Sequence, residues 1–524
     1  MSIAEGPPPA QVTAVAVGTG PLGFDDVLRV ARHGAPVRLT DEALTALTTA
    51  RAYVDELAAG DEPAYGISTG FGALATRPIA PELRARLQRS LVRSHAAGTG
   101  AEVEREVVRA LMLLRLSTLA TGRTGVRPRT AETLAALLNA GLTPVVHEYG
   151  SLGCSGDLAP LAHVALVLIG EGQVRDADGR LRETPEALRA ARIEPVELGP
   201  KEGLALINGT DGMLGMLVLA LADLRELLKM ADVAAAMSVE ALLGTDRVFA
   251  ADLQALRPHP GQATSAANLR RLLDGSKIMA SHRQPYPCTR VQDAYSLRCA
   301  PQVAGAARDT LAHAELVASR ELAAAVDNPV VLPDGRVESN GNFHGAPLAY
   351  VLDFLAIPVA DLASMAERRT DRMLDVARSH GLPAFLADDP GVDSGHMIAQ
   401  YTQAAIVSDL KRLAAPASVD SIPSSAMQED HVSMGWSAAR KLRRAVEGLT
   451  AVLAVEILTA ARAIDLRAPH EPAPGTGAAV TALRVDVGGP GTDRHLAPEI
   501  DAAVRQVADG TLLSAVQSAI GPLD

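Results

Sequence analysis

The chain has 524 residues and a net charge of −12, without a basic run or interleaved aromatics, which argues against a nucleic-acid partner. Hydrophobic residues make up 48% and aromatics only 3%, so the core must be mostly Ala, Leu and Val, a composition suited to close helix–helix packing rather than sheets. Cys154, Cys288 and Cys299 lack metal-ligand spacing and suggest a reducing, cytoplasmic compartment, and the first residues carry no charged-then-apolar leader pattern.

Residues 1–10, with Pro7-Pro8-Pro9, read as a disordered lead. Gln11 to Gly18 alternates like a strand, and Gly18-Thr19-Gly20-Pro21-Leu22-Gly23 then matches the GxGxxG dinucleotide fingerprint. A nucleotide-dependent oxidoreductase is nevertheless rejected. Asp25 and Asp26 fall at the helix N-terminus where a pyrophosphate binds, and they would repel it. No alternating strand–helix pattern follows either. Thr40 caps a helix running to about Ala59, with Asp41 and Glu42 in its first turn. Tyr65–Gly72 is a glycine-rich loop holding one tyrosine. Helical patterns resume over Pro81–Gly98 and Glu102–Gly122, and from Thr130 to a stop at Gly141.

Gly150-Ser151-Leu152-Gly153-Cys154-Ser155-Gly156 packs three glycines, two serines and a cysteine into seven residues between apolar, helix-like segments. So dense a cluster marks either a tight turn or a special backbone. Its Cys-Ser-Gly order has a chemical consequence. The Gly156 nitrogen, with no neighbouring Cβ to block it, is able to attack the carbonyl two residues back, and Ser155 can then lose water to leave an exocyclic methylidene. After Leu161–Gly170 comes a polar excursion, Asp176–Gly199, and then Asn208-Gly209-Thr210 leads into a long apolar helix. That segment, Met213–Leu243, is interrupted by Asp223, Arg225, Glu226, Lys229 and Asp232, which excludes a membrane span and leaves a soluble protein expected.

Residues 244–300 are mixed, with loops around Gly275–Arg290. Long helices follow at about Ala300–Ala325, Ala346–Asp375 (with Pro358 expected to kink it), Met397–Ala414 and Ser433–Leu466. From Ala468 the Pro- and Gly-rich sequence reads as a linker with one helix near Pro498–Asp509. The chain so divides into the lead (1–10), an N-terminal region with the tyrosine loop and glycine cluster (11–210), a central long-helix bundle (211–467) and a C-terminal linker and helix (468–524). The fold class is mainly α, a large central bundle of long helices with a loop-built active site and a small mixed N-terminal region.

Seven blocks together resemble the aromatic amino-acid ammonia-lyases. They are YGISTGFG at Tyr65–Gly72, RSHAAG at Arg93–Gly98, GSLGCSGDLAPLAH at Gly150–His163, KEGLALINGT at Lys201–Thr210, RVQDAYSLRC at Arg290–Cys299, NGNFHG at Asn340–Gly345 and SSAMQEDHVSM at Ser424–Met434. The resemblance covers roughly Val37 to Leu466. It implies a 4-methylidene-imidazol-5-one (MIO) electrophile built from Cys154-Ser155-Gly156 in place of the family's Ala-Ser-Gly, with no metal or nucleotide. The first residue gives only its carbonyl carbon to the ring, so Cys is tolerated there. The resemblance also implies a homotetramer, because the family's sites combine loops from several subunits.

Three features point within the family to L-histidine as substrate, in the actinobacterial type, giving trans-urocanate and ammonia. Tyrosine lyases carry His-Leu and phenylalanine lyases Phe-Leu where this chain has Ser94-His95. Plant-type phenylalanine lyases carry Gln at the place of Glu429, and their large C-terminal insertion is missing. A carboxylate suits an imidazole, which donates N–H to it, and is costly beside a phenyl ring. By resemblance Tyr65 is the base for the β-proton, Arg298 holds the substrate carboxylate, and Asn208 and Tyr295 polarise the imidazolone oxygen. Gln292 and Phe343 line the site, and Ser94, His95, Gln428 and Glu429 face the side chain, while His163 and His431 are structural. Helix capping by Asn208, core packing by Phe343 and a helix-end salt bridge for Arg298 are the bland alternatives. Ser68 and Met427 depart from residues common in the family, and Lys277–Cys288 matches no pattern. An aromatic amino-acid 2,3-aminomutase, or a tyrosine or phenylalanine lyase, is the alternative on the same scaffold.

Overall fold

A computed structural model describes residues 13–60, 63–70, 72–282 and 290–524. The N-terminal lead, Phe71 of the tyrosine loop and Pro285-Tyr286-Pro287-Cys288 lie outside the described residues. The protein is mainly α, with twenty α-helices among the described residues and only short strand pairs. Its contacts divide it differently from the sequential segments above. One compact unit comprises the residues to Leu219 with Leu316–Tyr350 and Ala417–Arg440; a second comprises Ala220–Glu315, Val351–Pro416 and Lys441–Asp524.

In the first unit, Val15–Val17 and Val37–Leu39 pair in parallel around the helix Phe24–Ala31. Among the described residues this is a single strand–helix–strand unit with a two-stranded sheet, without the crevice between diverging strands that a dinucleotide site uses. Gly23 caps the helix, and the Asp26 carboxylate accepts its N–H at 3.2 Å, filling the place a phosphate would need. Thr40 caps Asp41–Ala59 by accepting from the Ala43 N–H at 3.2 Å, as the sequence predicts.

The helix Arg105–Ala120 is buried on nearly every side, yet it carries Arg109 and Arg115. A buried guanidinium must find acceptors, and both do so on backbone carbonyls. Arg109 donates to Val30 and Leu138, and Arg115 to Ala205, Asn208 and Val326. Arg115 thereby holds the chain at Asn208 itself and immediately before Asp327. Beside it the helices Arg84–His95, Leu158–Leu168 and Glu202–Ile207 pack against one another and bring the RSHAAG, GSLGCSGD and KEGLALINGT blocks together.

The second unit holds most of Asp211–Ala241, Ala300–Leu322, Ala346–Leu374 and Gly435–Asp465, together with all of Met397–Leu413. Polar ties sit inside this apolar packing. The buried Glu456 accepts from Ser238 at 2.6 Å and from Arg369 at 2.9 Å, linking three helices. Ala346–Leu374 is long and apolar enough by length and composition to cross a membrane, and most of its apolar stretch is buried, as in a core helix. Sequence reading singled out Met213–Leu243 instead. The C-terminal linker expectation is corrected: Pro474–Leu483, Ala497–Ala508 and Thr511–Ile520 are all helical, and the first and last pack together. Pro474 and Pro498 open their helices, where a missing N–H costs nothing, so the prolines taken as breakers are starters.

Candidate active site

Three distant blocks hold the Gly150–Gly156 loop inside the first unit. The Leu152 carbonyl accepts from the Met434 N–H at 2.9 Å, and the Gly153 carbonyl from the Ser433 hydroxyl at 2.8 Å and the Gly345 N–H at 3.3 Å. Gly156 pairs with Gly209, whose carbonyl accepts the Asp157 N–H at 2.7 Å. Glycine is required at both bends. Gly153 has φ +65° and a Cβ there would lie 2.2 Å from the Ser433 hydroxyl; Gly156 has φ +74° and its Cβ would meet the Gly209 carbonyl oxygen at 2.0 Å.

Asp157 anchors the end of the loop. Its fully buried carboxylate accepts from the Ser151 hydroxyl and from the Gly212 and Met213 N–H groups, each at 2.9 Å, the latter two being otherwise orphan donors in the first turn of Asp211–Ala241. Burial pushes the Asp157 carboxyl up to about 7 against the pull of those donors.

Ser155 stands half-buried at the centre, its hydroxyl donating to Asn208 Oδ1 at 2.6 Å. Asn208 is no N-cap. It follows the helix Glu202–Ile207, its amide Nδ2 donating to the Asn328 carbonyl at 3.0 Å, while its own carbonyl accepts from Arg115 at 2.7 Å. Behind it lies a fully buried ion pair, Lys201 to Asp327 at 2.5 Å, whose second carboxylate oxygen takes the Asn328 N–H. Asn340 closes the set, donating its side-chain amide to the Asp327 carbonyl at 3.0 Å and its backbone N–H to Asn328 Oδ1 at 3.0 Å, while its own Oδ1 accepts from the Asn342 N–H at 2.9 Å. Lys201, Asp327, Asn328 and Arg115 were not among the expected site residues. A lysine and an arginine inside apolar runs were the available signals. Neither names its partner, since Asp327 lies 126 residues from Lys201.

A second cluster surrounds Glu429. Ser424 and Glu429 exchange backbone hydrogen bonds, and the Ser424 hydroxyl donates to Glu429 Oε2 at 2.7 Å. Cys154 is buried, and burial followed by the charge of Glu429 pushes its thiol up to about 12. His95 lies in the field of Glu429, but burial outweighs it and lowers the imidazole below its ordinary value. His95 Nδ1 is 2.9 Å from the Leu91 carbonyl, so Nδ1 carries the proton and neutral His95 presents Nε2 as an acceptor. Ser94 is exposed and turns its hydroxyl back to the Leu91 carbonyl at 3.0 Å. Gln428 is exposed and Phe343 half-buried, so Phe343 is not a core residue.

Tyr65 is half-buried, its hydroxyl accepting from the Gly72 N–H at 3.2 Å, and the Gly72–Leu74 turn packs on Ser425–Met427. Ser68 closes the tyrosine turn by accepting from the Ala64 N–H at 2.9 Å. Met427 has φ +70°, a left-handed conformation that asparagine adopts more readily than methionine. His163 accepts the Gly98 N–H at 3.1 Å and meets His147 edge-on, and burial lowers it to about 4. His431 stacks on His344, with ring centroids 5.5 Å apart.

Gln292, Tyr295 and Arg298 belong to the second unit. Gln292 is exposed, and Tyr295 opens the one-turn helix Tyr295–Arg298 with 70% of its surface exposed. The Arg298 guanidinium stacks 4.7 Å over the Tyr295 ring, and its buried Nε has no hydrogen-bond partner among the described residues. A helix-end salt bridge would have supplied one.

A paired Ser–Asn core on a glycine-built loop, with a carboxylate and an imidazole beside it, matches a known class. Residues 22–485 match the aromatic amino acid lyase family, and the chain belongs to that family. Over 97% of its length it is 68% identical to the histidine ammonia-lyase of Streptomyces coelicolor, covering 99% of that protein. Among solved structures it is similar to histidine ammonia-lyase from Trypanosoma cruzi, with 37% identity and a TM-score of 0.89 over 97% of this chain and 96% of that one. It is also similar to a tyrosine aminomutase from Streptomyces globisporus, with 38% identity and a TM-score of 0.91 over 98% of this chain and all of that one. The protein is a carbon–nitrogen lyase of the ammonia-lyase kind.

Proposed function

We propose that this chain deaminates L-histidine non-oxidatively to trans-urocanate and ammonia, as a cytoplasmic homotetramer. The observation that carries the reading is the pair of acceptors, neutral His95 Nε2 and the Glu429 carboxylate, gathered next to the Cys154–Gly156 loop. A substrate imidazole donates N–H to such groups, and a phenyl or phenol ring has less or nothing to offer them. The name carried by the 68%-identical Streptomyces relative supports the same substrate.

The loop fits a methylidene-imidazolone. Both bends admit only glycine, and the Ser155 hydroxyl is held at 2.6 Å by Asn208. Attack of the Gly156 nitrogen on the Cys154 carbonyl closes the ring, and two waters leave, one from ring closure and one from Ser155. The group then supplies the electrophilic carbon that captures an α-amine, which no ordinary side chain provides. The chain's own residues do the rest. Asn208, fixed by Arg115 and Asn328, holds its amide where negative charge grows. Tyr65 takes the β-proton on the oxygen to which the Gly72 N–H donates. Arg298 grips the substrate carboxylate in a two-pronged pair, Tyr295 joins Asn208 in polarising the imidazolone oxygen, and Gln292, Phe343, Ser94 and Gln428 line the site.

Incubating the purified protein with L-histidine, L-tyrosine and L-phenylalanine, while following product absorbance and free ammonia, tests this. Urocanate from histidine is the expected product, and its absence overturns the reading. The likeness to a tyrosine aminomutase favours a second outcome, re-addition of ammonia at the β-carbon, which proton magnetic resonance of the product mixture distinguishes.

A further inference from the structure

The segment that carries Arg298 is pinned at its start by a clasp inside the second unit. Arg290 donates to three acceptors: the Asp293 carboxylate at 3.1 Å, the Leu243 carbonyl, and His380 Nε2 at 2.7 Å. The other Asp293 oxygen takes the Thr245 N–H at 2.7 Å, so the chain just past Asp211–Ala241 is tied to both residues. On the far side Arg467 donates to the Ala241, Ser379 and His380 carbonyls at 2.9, 2.8 and 2.8 Å, fixing the backbone from which the His380 ring projects. Leu243 and His380 are both left-handed, with φ +51° and +56°, and both accept from Arg290. Neither is a glycine, so their surroundings must hold them in that conformation. Further along, Arg369 donates to the Ser296 carbonyl at 3.2 Å, which leaves the one-turn helix Tyr295–Arg298 suspended between two arginine ties.

The His380 tie differs chemically from the rest. Arginine only donates, so Nε2 must be unprotonated, with the proton on Nδ1. A backbone carbonyl accepts at every pH, whereas an imidazole accepts only while neutral. The groups facing His380 favour that form: burial, then Arg290, His282 and Arg467, lower it below its ordinary value, with Asp293 opposing them. On its own stretch Arg378 is paired with Asp375.

We infer that His380 is a positioning residue for the substrate carboxylate: by accepting from Arg290 it completes the clasp from which Arg298 projects, and only its neutral imidazole can do so. This rests on the reading of Arg298 as the carboxylate grip and deepens it, since it gives that grip a support that a proton releases.

Steady-state kinetics on the whole chain test this, with near-ultraviolet absorbance of the prosthetic group followed in every variant. At about pH 8, His380→Ala should raise KM for L-histidine about fivefold with kcat changed less than about twofold, a loss of binding and not of chemistry. His380→Gln puts an amide oxygen near the place of Nε2 and should keep KM within about twofold. His380→Met, equally long but without that oxygen, should behave as the alanine variant does, which separates accepting from packing. In an Arg290→Met background, His380→Ala should change KM by less than about twofold, because its partner is already gone. From about pH 8 to about pH 5.5, KM of the unaltered protein divided by that of His380→Gln should rise about twofold, since glutamine accepts at every pH. That ratio cancels the titration of the substrate's own imidazole. An unchanged KM in His380→Ala, a methionine variant that keeps KM, an undiminished effect in Arg290→Met or a flat ratio overturns the inference. A His380→Ala variant that loses the near-ultraviolet band, or loses kcat with KM unmoved, also overturns it and leaves His380 a structural residue. An Arg298→Lys variant with unaltered KM overturns instead the carboxylate reading beneath it.

Discussion

The surroundings of Ser155 and the segment Gln292–Arg298 are built on opposite principles. Around Ser155 the polar groups are matched: hydroxyl to Asn208, Asn208 to Asn328 and Arg115, loop carbonyls to Ser433, Gly345 and Met434. The Gln292–Arg298 segment is tied down at Asp293, which accepts from the Thr245 N–H at 2.7 Å and pairs with Arg290 at 3.1 Å, and then opens outward. Tyr295 is mostly exposed and the Arg298 Nε is buried without a partner among the described residues. A group that must cyclise needs its atoms held in one geometry before any substrate arrives. A group that must grip a carboxylate needs its donors unspent until one does. The difference teaches that the ring-forming loop is held before any substrate arrives, whereas the Arg298 Nε is left open to an anion; the buried Arg115 Nε near the loop, by contrast, already faces the Asp211 carboxylate at 3.4 Å.

The largest expected effect strikes the saturated region. Ser155→Ala removes the only hydroxyl able to leave as water from the tripeptide and should cut turnover at least about a thousandfold. Circular dichroism and size-exclusion elution should be unaltered, because the loop is held through its backbone and not through this hydroxyl. Full activity in the variant would break the comparison outright. Asn208→Ala should cost about a hundredfold in kcat, the usual loss for a donor aimed at developing negative charge. A change in KM alone would move Asn208 into simple binding.

Arg298→Lys tests the other region. Lysine keeps the charge and loses the planar fork, so KM for L-histidine should rise about tenfold with the prosthetic-group absorbance untouched. A lost absorbance band would show that Arg298 serves the saturated region after all.

These two regions were not equally legible in sequence. The glycine cluster, Asn208, Tyr295 and Arg298 stand in long motifs, and the helix caps at Thr40 and the acidic first turn after Gly23 follow local rules. What escaped is non-local. Nothing in KEGLALINGT tells that Lys201 is neutralised by Asp327, or that Gly345 and Ser433 would close on the Gly153 carbonyl. Composition misled at the C-terminus, where prolines that start helices looked like a linker.

The smallest expected effect sharpens how tightly the saturated region is determined, and it concerns Asp157. Its carboxyl is raised from an ordinary 3.8 to about 7, first by burial, so the folded chain binds this proton more strongly than the unfolded chain does. Stability from that source is fully present below about pH 4 and is lost as the pH rises through about 7. Asp211, raised by burial to about 6, follows the same sign and stays in place in an Asp157→Asn variant. The difference in urea midpoint between the unaltered chain and Asp157→Asn should therefore shift in favour of the unaltered chain as the pH is lowered from about 8 to about 5. A difference that stays flat would mean that Ser151, Gly212 and Met213 outweigh burial and keep the carboxylate ionised, which makes the anchor of the Ser155 loop an anion at the start of Asp211–Ala241.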